Sequence, residues 1–206
     1  MNLLFAAPSS DDLIRLLKAW RFWLLGAAAG ALIGTAVYLV APPNYRGRAT
    51  VNVDFHMEQA WPQNSDREQF YYLERETRKL EEIAMSDAVI NTVASQVGGG
   101  SVQQLRAEKL QLSQPGNGGW HFYADDRDPR KAAQMASVWA QAFAQTVQAQ
   151  VAQPSSSLEH FITAVPTQTE ESATHRVVSL SVYMLSGSVV LLALVGFAIL
   201  FLHRPA

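Results

Sequence analysis

Two long apolar stretches, one near each end of the chain, constrain the fold more than any other feature. The first runs from Trp23 to Ala41 and is closed by Pro42-Pro43. The second runs from Val177 to Leu202, and neither contains a charged residue. A bilayer core of about 30 Å needs about 20 apolar residues in helical form, so each stretch is long enough to cross once. The sequence reads as a polar domain tethered at both ends, its two tethers leading to the same side. A free soluble enzyme does not fit that pattern.

Flanking charge gives the orientation. Arg15, Lys18 and Arg21 precede the first stretch, and His203-Arg204 follow the second. Lys and Arg in short flanks stay on the cytoplasmic side, whereas Asp11 and Asp12 count for little. Both termini are therefore expected on the cytoplasmic side, with the domain between the spans outside it. The layout is a cytoplasmic segment over 1–22, a first span over 23–41, an extracytoplasmic domain over 42–176, a second span over 177–202 and a tail over 203–206. Arg176 lies on the opposing side of this scheme. A cleaved signal peptide fits less well, because the apolar core is longer than a typical h-region and no clean A-x-A site follows it. The chain has no Cys, which removes disulfides, thiolate nucleophiles and thiolate metal sites.

Without the spans, about 135 residues remain, enough for one ordinary domain. The formal net charge is −2, with no sustained basic stripe, so no nucleic-acid partner is expected. No solenoid-period repeat occurs. Gln153-Pro154-Ser155-Ser156-Ser157 reads as a short connector.

Within the domain, Ala49, Val51, Val53 and Phe55 alternate with Thr50, Asn52, Asp54 and His56, the period of a half-buried strand. Ser65-Asp66-Arg67-Glu68 has capping-box spacing, and Phe70, Leu73, Thr77, Leu80 and Ala84 follow at helical intervals. Ser86-Asp87 opens a second helix with Val89, Ile90, Val93 and Val97 as its stripe, stopped by Gly98-Gly99-Gly100. Ser101 and Gln104 begin a short helix that turns Leu105 inward. Leu110 and Leu112 face Trp120-His121-Phe122-Tyr123 across a Pro/Gly/Asn turn cluster, a hairpin pattern. Asp128-Pro129 starts a long helix that buries Ala132, Met135, Ala136, Trp139, Phe143 and Val147. The predicted class is α+β: a small antiparallel sheet with helices on one face.

Candidate sites are few. Gly26, Gly30 and Gly34 share one face of the first span, where small residues allow close approach of another helix; the partner is the second span or a neighbouring protomer. Trp61, Phe70, Tyr71 and Tyr72 form an aromatic concentration that can serve a glycan contact, a protomer interface or plain core packing. Trp20, Phe22 and Trp23 read as an interfacial aromatic belt. His56, His121, His160 and His175 lack the spacing of a helical metal site. Asp125, Asp126 and Asp128 lack the EF-hand pattern; Asp128 reads as a cap and the other two as solvated turn residues. Ser155–Ser157 lack a G-x-S-x-G context. Glu74, Glu76, Glu81 and Glu82, interleaved with Arg75, Arg78 and Lys79, read as a solvated helix face. No catalytic constellation, metal or cofactor site is predicted.

The ordered set of segments resembles the Wzz-type chain-length determinants, or polysaccharide co-polymerases, over nearly the whole sequence. It comprises a span ending Pro42-Pro43-Asn44-Tyr45, the strand Tyr45-x-x-x-Ala49-x-Val51-x-Val53, and the helix start Ser86-Asp87-Ala88-Val89-Ile90. It continues through Leu105-x-x-x-Lys109-Leu110, Asp125-Asp126-Arg127-Asp128-Pro129, Ala132-Ala133-x-Met135-Ala136, and Ala164-Val165-Pro166 ahead of the second span. Ser137 stands where the family favours Asn, no long helical arm precedes the return to the membrane, and the approach to the second span has a single proline. His203-Arg204-Pro205-Ala206 carries neither a nucleotide-binding loop nor a tyrosine cluster, so the short form without a kinase domain is expected. The resemblance implies a non-enzymatic, homo-oligomeric inner-membrane scaffold that regulates the length or export of a surface polysaccharide: exopolysaccharide, capsule or the O-antigen of lipopolysaccharide. It implies a polysaccharide polymerase or export machinery as partner and leaves a separate cytoplasmic tyrosine kinase open. The alternative is an accessory docking subunit of another membrane protein complex.

Overall fold

A computed structural model describes residues 16–56, 66–113, 119–154 and 158–202, together with Ile14 and Ser156. The chain forms two compact units, one containing the two long apolar helices and the other running from Asn44 to Val177.

The first unit is a pair of helices, α1 (Trp20–Val40) and α6 (Leu180–Leu202). Both are long and apolar enough to cross a membrane, and only 17% and 6% of their apolar windows is buried. A core helix of a soluble protein would be mostly buried, whereas most of this apolar surface is left uncovered by the described residues. The two helices run antiparallel: Gly26 lies against Val195, Gly30 against Gly187 and Ser188, and Gly34 against Tyr183 and Met184. Tyr38 and Tyr183 meet edge to face at 5.4 Å.

The second unit is α+β. Its elements are β1 (Tyr45–Asp54), α2 (Asp66–Ala84), α3 (Asp87–Val97), the single turn α4 (Val102–Gln104) continued by a π-type turn over Leu105–Lys109, β2 (Leu110–Ser113), β3 (Gly119–Asp126), α5 (Pro129–Val151), β4 (Thr163–Thr169) and β5 (His175–Arg176). The strands form one antiparallel sheet of order β2-β3-β1-β4, with β5 also pairing β1. Ala49, Val51 and Val53 point to the helices with Trp120, Phe122, Ala124 and Ala164, and the core closes on Trp139, Phe143, Leu80, Ile90 and Leu105. Trp139 stands edge-on to Phe122 at 4.8 Å and donates its indole N–H to Ala84 O at 2.8 Å, so its polar atom is satisfied inside an apolar core.

Local chemistry explains where the elements begin and end. Ser86 Oγ accepts from Val89 N–H, and Ser101 with Gln104 forms a reciprocal capping box. Gly98, Gly99 and Gly100 all take positive φ, which side chains resist, so α3 stops there. Asp128 accepts from the amides of Arg130 and Lys131, with Pro129 at the first helical position. A Cβ at Gly47 would fall on the backbone of Ala132 and Ala133, so glycine lets the first turn of α5 rest directly on β1.

The sheet is larger than the sequence predicts. The segment Ala164-Val165-Pro166, read above as an approach to the membrane, is part of strand β4 on the sheet edge, and β5 follows it. Pro166 sits opposite Val51 beside a register shift at Thr50/Val51. An edge strand tolerates a proline that a central strand would not, and proline with a bulge blunts the edge against further pairing.

Candidate functional site

The glycines of the first span come together with the second. Gly26, Gly30 and Gly34 are the buried residues of α1. A Cβ on Gly30 would lie 2.6 Å from Ser188 Cα, and one on Gly34 would lie 2.7 Å from the Tyr183 carbonyl carbon. Gly187 returns the contact from α6, and Gly196 accommodates the ring of Trp23. Ser188 Oγ donates across to Ala27 O at 3.0 Å and within its own helix to Met184 O at 2.8 Å. The stripe is thus filled from within the same chain. Beside it an apolar groove of about 460 Å³ is lined by Ile33, Gly34, Val37, Val182, Tyr183 and Gly187, among others.

The aromatic concentration is split. Phe70 and Tyr71 stand exposed on α2, edge to face at 6.1 Å. Tyr72 points the other way, is buried, and lies 6.3 Å from Phe161 with the Arg75 guanidinium over its ring. Burial, then the carboxylates of Glu76 and Glu159, push the Tyr72 phenol well above its ordinary range. Trp61 lies outside the described residues, as do the Ser65 cap, turn residues 115–118, Ser155, Ser157 and the tail 203–206.

Three sequence expectations need correction here. First, Phe70 does not belong to the inner face of α2; the buried line is Tyr72, Glu76, Leu80, with Ile83 and Ala84. Second, Glu76 is not on a solvated face. It is fully buried, and its Oε1 accepts from Arg75 Nε at 2.9 Å and Lys79 Nζ at 2.7 Å, while Oε2 has no hydrogen-bond partner. Buried carboxylates persist where cations reach them, and here both cations come from the same helix. Third, Asp125 and Asp126 are not free turn residues. Asp125 takes a two-point bond from Arg46, both at 2.8 Å, and Asp126 takes Lys109 Nζ at 2.8 Å. Burial raises the Asp126 carboxyl, but the bonds from Lys109 and the Asp128 amide, with the nearby Lys131 charge, outweigh it and hold the group below the ordinary carboxylate range.

The sheet face away from the helices is polar. Arg46, Arg48 and Thr50 on β1 lie opposite Asp125, Tyr123 and His121 on β3. Thr50 Oγ1 and His121 Nδ1 are 3.0 Å apart, and Arg46 lies over the Tyr123 ring at 5.5 Å. Burial, then the Arg48 charge, lowers the His121 pKa, so the ring is neutral at neutral pH. His160 bonds Val151 O, and His56 pairs with Asp54 at 3.6 Å. Among the described residues no group of three or more His, Asp or Glu side chains could hold a metal ion.

The ends of the α+β unit form the arrangement that sequence reasoning missed. Val177 N–H donates to Asn44 O at 2.9 Å. Arg176, the residue that opposed the charge rule, lies 4.4 Å over the Tyr45 ring and donates to its hydroxyl at 2.9 Å. Its place is set by closing the unit. The Tyr45 and Arg176 pairing could not be found from local periodicity, because 131 positions separate the two.

No model of a known protein family matches this chain, and no curated protein matches it either.

Proposed function

We propose that this protein is a non-enzymatic, oligomeric scaffold of the bacterial inner membrane that regulates the length or export of a surface polysaccharide made by a separate membrane polymerase. In this reading both termini are cytoplasmic and the Asn44–Val177 unit is extracytoplasmic. The observation that carries it is the closure of that unit at one point. Its first and last described residues are hydrogen-bonded to each other, and each continues within a few residues into a helix long enough to span a bilayer. The reading also rests on the ordered sequence segments that resemble the short co-polymerases. Several copies, side by side, would present their α+β units to a polymerase or to the growing chain. Positioning and spacing, rather than bond chemistry, would be the mechanism.

The test is the size distribution of cell-surface polysaccharide after deletion of the gene and after its restoration. The expected result is a changed modal length, recovered on complementation. An unchanged distribution would overturn the polysaccharide role and leave the docking-subunit reading in its place.

A further inference from the structure

The end of the α+β unit where the chain passes to the apolar helices carries two cations that no described carboxylate pairs with. Arg127 and Arg130 are exposed, and neither has a carboxylate partner among the described residues. The aspartates nearest in sequence are already used: Asp125 by Arg46, Asp126 by Lys109, and Asp128 as the cap of α5. Arg130 also stands in the first turn of a helix, where the backbone dipole disfavours positive charge. Two cations thus stand without a carboxylate partner among the described residues.

Their location suggests the missing anion. The first turn of α5 rests on β1 at Gly47, and Pro129 O accepts from Ala173 N–H at 3.0 Å. Gly47 and Ala173 lie within four positions of Asn44 and Val177, where the chain leaves the unit. The link from Val40 to Tyr45 holds residues 41–44, and the link from Arg176 to Leu180 holds residues 177–179. Four residues reach at most about 14 Å. Given helices that span a bilayer, on which this inference rests, these short links leave Asn44 and Val177 at or just above the headgroup layer. Tyr45, with Arg176 stacked on its ring, adds an aromatic of the kind enriched at that depth.

We infer that this end of the α+β unit is a seat for the headgroups of anionic lipids, with Arg127 and Arg130 as the residues that hold the anion. Lys131, half-buried beside Asp126, adds to the field. Glu170 and Glu171, in the segment leading to Ala173, oppose it and supply a counter-test.

The chain has no native Cys, so a single Thr174→Cys can carry a fluorophore in the full-length protein. The protein is placed in nanodiscs containing headgroup-spin-labelled lipid, made either of phosphatidylcholine or with added phosphatidylglycerol. Quenching is expected to be about twofold stronger in the anionic bilayer, since each basic residue near such a surface adds to the attraction. R127Q/R130Q should remove the difference between the two bilayers, and E170Q/E171Q should enlarge it. Equal quenching in both bilayers, or a difference that survives R127Q/R130Q in a folded protein, would overturn the seat. Should the double Arg variant fail to fold, an E170Q/E171Q protein with unchanged quenching would overturn it as well. A chain that stays out of the nanodiscs altogether would instead overturn the membrane reading beneath it.

Discussion

The two units solve the same packing problem with opposite arrangements. In the α+β unit the large apolar side chains point inward, and Trp139, Phe122 and Phe143 are all fully buried. In the helix pair the inside belongs to Gly26, Gly30, Gly34 and Gly187, while Leu25, Leu32, Leu185, Val190 and Leu194 stand more than half exposed. In water, burial of apolar area drives packing. In lipid that drive is absent between helices, and close backbone approach with interhelical hydrogen bonds takes over. The inversion is the pattern that water gives one unit and that lipid would give a helix pair long and apolar enough to cross a membrane.

Perturbing each unit by the rule of the other should break this comparison. The largest effect is expected in the α+β core: Trp139→Ala removes the ring packed on Phe122 and the bond to Ala84 O, and should lower the unit's stability by about 3–5 kcal/mol. Denaturant unfolding followed by the remaining tryptophans measures this. The comparison sharpens at Glu76, the one buried carboxylate among the described residues. R75A/K79A leaves that charge uncompensated and should cost about 3 kcal/mol or more, whereas Glu76→Leu should cost far less; similar losses for both would refute the pairing. In the helix pair the rule reverses, and adding apolar volume is expected to harm. Gly30→Leu drives a side chain into the backbone of Gly187 and Ser188 and should weaken the pair by about 1–3 kcal/mol. Oxidative cross-linking of an A27C/S188C pair reports the separation, and an undiminished yield would show the seam to be tolerant.

Two smaller effects concern the polar surfaces. The lowered His121 pKa means that its neutral form is favoured in the fold. Its contribution is complete above the unfolded histidine value of about 6.5 and is lost as pH falls through the lower folded value. Asp126, also lowered, contributes fully above the unfolded carboxylate value of about 3.9 and loses that contribution further into acid. Thermal melts from pH 8 to pH 3 should show falling stability in both windows, with H121Q flattening the first and D126N the second. Smallest of all, Phe70→Ser and Tyr71→Ser should shift stability by no more than about 0.5 kcal/mol, because both are exposed. A change in polysaccharide length with unchanged stability would assign this aromatic pair a contact role.

How legible each element was in the sequence follows from its environment. β1 is a central strand with one face buried, so Ala49, Val51 and Val53 alternate with polar residues and the period reads directly. β4 lies on the edge with Ala164 as its one buried residue and Pro166 inside it, so it lacks any period and reads only as an approach to the second span. The caps at Ser86, Ser101 and Asp128 were legible because they are local chemistry. The inner face of α2 was misread because it carries Glu76 between Tyr72 and Leu80, and a charge in a hydrophobic stripe looks like solvent-facing sequence until its cations are seen folded over it. The glycine stripe declared a close contact in the sequence but not its partner, which depends on α6, more than 150 positions away. The basic end at Arg127 and Arg130 was invisible as a cluster because its meaning comes from the closure of Asn44 on Val177.

The central claim is that a water-adapted unit is held outside the cell's inner membrane by a lipid-adapted helix pair with cytoplasmic ends. Single cysteines at Ser10, Ser113 and Leu185, treated in intact spheroplasts with a membrane-impermeant thiol reagent, test it directly. The account predicts labelling at Ser113→Cys, none at Leu185→Cys, and labelling of Ser10→Cys only after the membrane is opened. Labelling of Ser10→Cys in sealed spheroplasts, with Ser113→Cys protected, would contradict it.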